Sequence, residues 1–358
     1  MQVGVTTEFV PGAADAERIT EALRRCGTIS TARVCNVTAL SSLKKLRSHT
    51  FRLRLEYEGP SAGAPNSIIL KAGHLDNTGR STYANRREIA FYREVAPAAS
   101  AQLVPRCFEA VDATDITAWH LLLEDLTETH FIATEWPLPP TLVQCEAIVQ
   151  SLARFHGVWW ESPHLGRSVG VWINEEAFDR SLQIFAEKFA LFTDRFSELV
   201  TPERRDLYER LLDQAPRLLA RYHSHQNLTI VHGDAHSWNF FLPMQGGCEN
   251  VRLIDWEGWS IETATDDLAY MMAMLWYPDR RRRLESLLLD RYHAVLLAQG
   301  VTDYDRQMLT NDYRLSALWL ITRPVWQAMN NIAPRVWWNN LERVMLAVDD
   351  LGCRDLLA

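Results

Sequence analysis

Two short segments of this 358-residue chain carry residue types suited to phosphoryl transfer. In Ile230-Val231-His232-Gly233-Asp234-Ala235-His236-Ser237-Trp238-Asn239-Phe240-Phe241, an apolar run turns at Gly233 and presents a carboxylate at Asp234 and an amide at Asn239. The spacing Asp-x-x-x-x-Asn lets an acid meet a substrate hydroxyl while the amide holds a magnesium ion. Sixteen residues after Asn239, a second apolar strand, Leu253-Ile254, ends in Asp255. Gly246-Gly247 lies between the two segments and reads as the loop of a β-hairpin. A hairpin would return Asp255 to the side of Asn239, and an acid with an amide is a donor pair that a hard cation accepts.

Two blander or different chemistries fit parts of the same run. His232-Gly233-Asp234 alone is also a tight turn with a capping Asp. His232, Asp234 and His236 alternate as in part of a zinc hydrolase site, which would need further ligands downstream. The only later histidine is His293, set between Tyr292 and Ala294 in a helical pattern.

The motifs HGDAHSWNF, LIDWEG and Asp266-Asp267-Leu268-Ala269-Tyr270 follow one another in an order and spacing that resemble the aminoglycoside phosphotransferase and choline kinase superfamily. The nearest branch is the ecdysteroid-kinase-like one. This resemblance implies an α+β, protein-kinase-like bilobal fold. Its nucleotide-binding N-lobe, a small antiparallel sheet, would span residues 1–126 with a hinge at about 121–126. The mostly helical C-lobe, residues 127–358, would carry the catalytic loop, the metal site and the acceptor pocket. The implied enzyme is a Mg²⁺- and ATP-dependent phosphotransferase acting on the alcohol group of a small molecule. By the same resemblance Asp234 is the catalytic base, Asn239 and Asp255 hold Mg²⁺, and His232 and Asp267 brace the catalytic loop. His236 is left between bracing the loop and facing the acceptor.

The elements that must position these residues are legible upstream. Residues 14–26 place Ile19 and Leu23 on one helical face and stop at Gly27. Three strands follow, over 32–38, 50–57 and 67–72, the second alternating through Phe51, Leu53 and Leu55. The third ends in Lys71, and seventeen residues later Glu88 opens a helical pattern. A lysine there is also what would cap a strand in solvent. Glu88-Ile89-Ala90-Phe91-Tyr92 matches the family's E-x-x-F-Y signature, which implies that Lys71 holds nucleotide phosphates and Glu88 fixes Lys71. His120 to Leu126 resembles the hinge, with backbone groups near Glu124 and Leu126 meeting the adenine edge. Residues 40–49, read as the connection between the first two strands, contain no glycine. Ser42, with Lys44, Lys45 or Arg47, is the alternative phosphate holder there.

Beyond the hinge the pattern turns to long amphipathic helices, one of them opening at Thr141 and carrying Phe155 and a structural His156. Three or four helices are expected over 264–351, broken at Pro278, Gly300 and Pro334. Arg280 to Arg283 read as a solvated face or, less simply, an anion site. Twelve of the thirteen tryptophans follow the hinge, and Trp256 and Trp259 flank Asp255. That concentration points to an aromatic-walled pocket for an apolar, ring-shaped or acyl acceptor. An aminoglycoside O-phosphotransferase and a nucleotide-binding pseudokinase are the rival readings. A net charge of −8 argues against nucleic acid or an anionic membrane as partner. The longest apolar run, Leu268 to Tyr277, is too short to span a bilayer. Six scattered cysteines and an N-terminus without a secretory pattern suit the cytoplasm.

Overall fold

A computed structural model describes residues 12–45, 48–74, 85–99, 102–113, 118–245 and 250–358. Arg47, the Gly246-Gly247 hairpin and Cys248 lie outside the described residues, as does the N-terminal segment before Gly12. The chain divides into two compact units, 1–131 with 252–257, and 132–251 with 258–358. Asp255 therefore groups with the first unit rather than with the residues that precede it in sequence.

In the first unit, helix α1 (Ala16–Arg25) starts on Asp15, whose carboxylate accepts the Glu17 and Arg18 N–H groups. Strands β1 (Arg33–Lys44), β2 (Ser48–Glu58) and β3 (Ser67–Gly73) follow. Then come α2 (Arg86–Ala90), which runs into a π-helical turn at Phe91–Val95, and β4 (Cys107–Val111), β5 (His120–Glu124) and the short β6 (His130–Ile132). The first five strands form one antiparallel sheet in the order β1-β2-β3-β5-β4. Phe51, Leu53, Ile68 and Leu70 on one face pack into a core with Ile19 and Leu23 of α1. Because side chains alternate along a strand, Lys71 points to the opposite face. It sits in register with Thr50 on β2 and Leu121 on β5.

One local expectation is corrected. Strand β1 does not stop at Thr38 but continues to Lys44, pairing Ser42 with Phe51 and Leu43 with Thr50. Ser42 is thus a strand residue, not a loop residue. Register shifts after Val34 and Ala39 mark bulges that bend this long hairpin, which explains how the ladder extends without a glycine.

The second unit is mostly helical. Helix α3 (Leu142–Trp159) begins with a capping box between Thr141 and Gln144. It is followed by α4 (Glu175–Arg195), α5 (Pro202–Leu218), α6 (Arg221–Ser224), β7 (Leu228–Val231) and β8 (Phe240–Pro243). After β9 (Arg252–Leu253), in the segment belonging to the first unit, come β10 (Ser260–Thr263) and α7 (Thr265–Ala269). A second π-helical turn, Tyr270–Met274, extends α7. The chain ends in α8 (Pro278–Ala298), α9 (Arg306–Trp319), α10 (Thr322–Met329) and α11 (Pro334–Asp350). Strands β7 and β10 pair antiparallel, Ile230 opposite Ile261, and α3 packs along α8.

The arginine run at the start of α8 is not a uniform solvated face. Arg282 and Arg283 are exposed, but Arg281 is buried and pairs with Glu285 and Asp350. Arg280 lies over the Trp276 ring at 4.5 Å. No described helix is long and apolar enough to cross a membrane.

Candidate active site

In the second unit, β7 delivers a short loop braced by hydrogen bonds to its backbone. The Asp267 carboxylate accepts the His232 N–H at 2.7 Å and the Gly233 N–H at 2.9 Å. His156 meets the same carboxylate at 3.2 Å through Nε2, and its Nδ1 lies 2.8 Å from the Tyr292 hydroxyl. Burial opposes the charge on Asp267, but the His156 hydrogen bond and the neighbouring His232 outweigh it and hold the carboxyl below its usual range. The adjacent Asp266 goes the other way, pushed up to about 8 by burial and by Glu262.

Gly233 is required by this arrangement. Its φ is +75°, and a Cβ there would sit 2.2 Å from the Gly258 carbonyl oxygen. Past the turn, the Asp234 N–H donates to His232 Nδ1 at 3.3 Å. The Asn239 side chain donates to the Asp234 carbonyl at 3.0 Å. The loop thus closes on itself and leaves the Asp234 carboxylate 39% exposed, with His236 Nε2 at 3.5 Å. The zinc-like alternation does not converge. His232 is buried and committed to the backbone, and among the described residues no cluster of metal-ligand atoms includes it.

In the first unit, Lys71 and Glu88 meet as the E-x-x-F-Y match implies. Lys71 Nζ lies 2.7 Å from Glu88 Oε2 and 2.7 Å from Asp255 Oδ1, with Glu257 at 3.6 Å. Asn85, the N-cap of α2, also donates to Glu88. Burial disfavours the ammonium of Lys71, but Glu88 and Asp255 outweigh it and hold its pKa above the ordinary lysine range. Lys45 reaches Asp255 Oδ2 at 3.5 Å.

Among the described residues, Lys71 and Lys45 are the ammonium groups that meet this group of three carboxylates. Glu88, Asp255 and Glu257 offer oxygen atoms within 4.8 Å of one another. Asp255 and Glu257 are each about a quarter exposed, at 28% and 27%. Hard oxygen donors gathered this closely fit Mg²⁺, so these residues suit the implied metal. Asp255 sits at φ +67°, a left-handed conformation that Asp tolerates better than most residues. Glu257 is a member of this cluster that the motifs do not single out, and the Asp255-Trp256-Glu257 spacing is the one signal that points to it.

The hinge positions are partly committed. The Glu124 N–H donates to the Arg106 carbonyl at 2.8 Å, and the Leu126 carbonyl accepts from the Thr129 and His130 N–H groups. Trp256 and Trp259 present little surface to a pocket. Both are buried, and Trp256 stacks on Phe91 at 3.9 Å and donates to the Leu253 carbonyl. An indole so close to the charged cluster fills the hydrophobic layer beneath it.

The profile of the ecdysteroid kinase-like family matches residues 44–300. The chain belongs to that family. No curated protein matches the sequence. Among solved structures, a protein from Ralstonia eutropha assigned as an aminoglycoside phosphotransferase superposes with a TM-score of 0.57 at 15% identity, covering 95% of this chain and 97% of its own. The GDP complex of a mutant aminoglycoside 2'-phosphotransferase-IIIa gives 0.52 at 13% identity, covering 96% and 99%. A choline/ethanolamine kinase family protein from Mesorhizobium loti gives 0.51 at 13%, covering 91% and 89%. At these identities the likeness shows the fold, a protein-kinase-like α+β architecture with a sheet unit and a helical unit. This ecdysteroid kinase-like chain is homologous to small-molecule kinases.

Proposed function

We propose that the chain is an O-kinase that transfers the γ-phosphoryl group of ATP to an alcohol of a small acceptor with an apolar, ring-shaped or acyl body. The observation that carries this reading is the buried Lys71–Glu88 pair joined to Asp255. A lysine fixed in this way presents one positive charge to the α and β phosphates without having to be ordered on binding. In this reading Asp255 and Asn239 would each supply a ligand to Mg²⁺, and Glu257 lies in the same cluster as Asp255. When bound, the ion neutralises charge on the phosphates.

Asp234 orients the acceptor hydroxyl and takes its proton. The bracing of the loop by Asp267 and by the Asn239 side chain supports this role, because a base must hold its place while its carboxylate stays accessible. Backbone groups near Glu124 and Leu126 meet the adenine, and Ser42 on β1 is a further nucleotide contact in this reading. An apolar acceptor draws its support from the half-buried Trp238, whose ring lies 5.3 Å from that of His236 in the same loop. The reaction is expected where the chain belongs with soluble small molecules, in the cytoplasm.

Incubating the protein with Mg·ATP and a panel of alcohols, while following ADP release and product mass, tests the reading. A phosphorylated alcohol supports it. Nucleotide binding with no phosphorylated product from any alcohol would favour a pseudokinase.

A further inference from the structure

In the second unit an arginine stands beside the candidate base. Arg323, in the first turn of α10, is exposed, and its guanidinium lies over the Tyr270 ring at 5.3 Å. One of its nitrogens reaches the Gly233 carbonyl at 3.4 Å, at the residue preceding Asp234. The Tyr270 hydroxyl faces both the Asp234 carboxylate and the Arg323 guanidinium. Burial pushes Tyr270 up, and Asp234 adds to the shift, so this phenol stays protonated.

The guanidinium is therefore held in place by ring stacking, a long hydrogen bond to the Gly233 carbonyl and a hydrogen bond with the Tyr270 hydroxyl. Among the described residues it forms no ion pair, whereas Arg281, Arg282 and Arg221 are each matched to a carboxylate. A guanidinium carries five N–H donors, and the contacts with the Gly233 carbonyl and the Tyr270 hydroxyl leave the others for a ligand. The N-terminal end of α10 adds positive potential at the same place. A permanently charged group beside the base repels a cationic acceptor and attracts an anionic one.

We propose that Arg323 reads the acceptor, taking an anionic group (a carboxylate or a phosphate- or sulfate-like oxyanion) on the same molecule whose hydroxyl meets Asp234. The inference rests on the kinase reading for the hydroxyl but not for the anion. It makes the acceptor a hydroxy acid or an equivalent anionic alcohol with an apolar body, not an amino alcohol. An Arg–oxyanion contact adds a charge-assisted, bidentate pair, which corresponds to about a ten- to hundredfold preference.

The test compares hydroxyalkanoates of increasing chain length with matched alkanediols, amino alcohols and alkanediol monosulfates. It uses the intact chain and its R323Q, R323K and R323E variants, with melting temperature as a folding control. Kinetics follow ADP release, and calorimetry follows binding of the same compounds in the presence of Mg·ADP. The expected result is that wild type prefers the anionic alcohols in kcat/KM by about tenfold or more. R323Q should remove that ratio mainly through KM, R323K should retain part of it, and R323E should shift preference toward amino alcohols. Whether carboxylates or sulfates gain more tells the two oxyanions apart.

A purely structural Arg323 would lower turnover for every acceptor alike, leaving the anionic-to-neutral ratio unchanged, and that overturns the proposal. Preference of wild type for amino alcohols overturns it too. If no alcohol is phosphorylated yet R323Q still loses hydroxyalkanoate binding, the anion site stands and the kinase reading falls.

Discussion

The loop around Asp234 and the cluster around Lys71 each keep a carboxylate ready for chemistry, with opposite electrostatics. In the loop, one buried acid, Asp267, is surrounded by donors from His232, Gly233 and His156, so its charge is fully answered within the unit. The product is geometry: Asp234 is held by backbone hydrogen bonds while its own carboxylate remains accessible. In the cluster, three carboxylates, Glu88, Asp255 and Glu257, gather around the Lys71 ammonium, with Lys45 at the edge. The product there is a concentration of charged oxygen atoms, all within 4.8 Å of one another, that a cation could join. Both acids that anchor these arrangements, Glu88 and Asp267, precede a π-helical turn, at Phe91–Val95 and Tyr270–Met274. Such turns insert a residue and re-aim the side chains around them. One region is organised for position and the other for charge, and substitutions should separate the two.

The largest effect is expected at Asp234. D234N keeps the side-chain shape and the backbone hydrogen bonds, which involve only its N–H and carbonyl groups. Phosphoryl transfer should fall by about a hundred- to ten-thousandfold, the usual range for a positioned base. Nucleotide affinity by calorimetry and melting temperature should stay near those of wild type. Turnover close to wild type would remove Asp234 from the base role and reduce the loop to a structural turn.

D255A strikes the other region. Losing one of the two partly exposed carboxylates should cost Mg²⁺-dependent nucleotide affinity at least about a hundredfold, since a group on the ion itself matters at least as much as one behind it. Calorimetry with Mg·ATP against ATP in chelator isolates the metal-dependent part. Equal affinity of D255A and wild type for Mg·ATP would break the claim that this cluster is organised for charge.

Much of this contrast is legible in the amino-acid sequence. The spacing of Asp234 and Asn239, and the seventeen residues from Lys71 to Glu88, are local patterns with a chemical reason, and periodicity points to a small sheet with a helical remainder. What escapes such a reading depends on burial and register. Ser42 reads as loop because serines and lysines look like a turn, yet the ladder with β2 continues through bulges. Trp256 looks like a pocket wall because it neighbours Asp255, but adjacent residues point to different sides, and it stacks on Phe91. Arg281 sits in a charged run but is matched by Glu285 and Asp350, one of them sixty-nine residues away in sequence. Tyr270 closes the third motif, but nothing in that motif links its ring to Asp234, and Arg323 lies in no motif; only the fold brings α10 and the turn after α7 to the loop.

D267N tests the matched side of the comparison. The amide keeps one acceptor but sets an NH₂ group against N–H donors in a buried place, so stability should drop by about 2–4 kcal/mol. The pH dependence has a definite sign. The folded carboxyl lies below its ordinary value, so its contribution is present above about pH 3.9, the ordinary Asp value. It is lost as the pH falls through that value toward the folded one. Urea melts across acidic pH should therefore show a steeper acid loss in wild type than in D267N. Parallel curves would mean that Asp267 is not held by charge.

The smallest effect belongs to Lys45, and it sharpens the charge side. Its side chain is 51% exposed and stands 3.5 Å from Asp255. Exposed pairs contribute between nothing and about 1 kcal/mol, so stability should hardly change in K45A. If Lys45 serves only to screen Asp255, its removal leaves the cluster more negative and Mg²⁺ should bind slightly better, with KM for Mg·ATP altered by no more than about threefold. If it instead meets the phosphates, KM for Mg·ATP should rise clearly while the apparent affinity for Mg²⁺ stays constant. Titrating Mg²⁺ and ATP independently separates these outcomes. A rise beyond about tenfold in KM, more than an exposed pair supplies, would move Lys45 from the edge of the cluster to nucleotide binding and make β1, with Ser42 three residues earlier, part of the phosphate site.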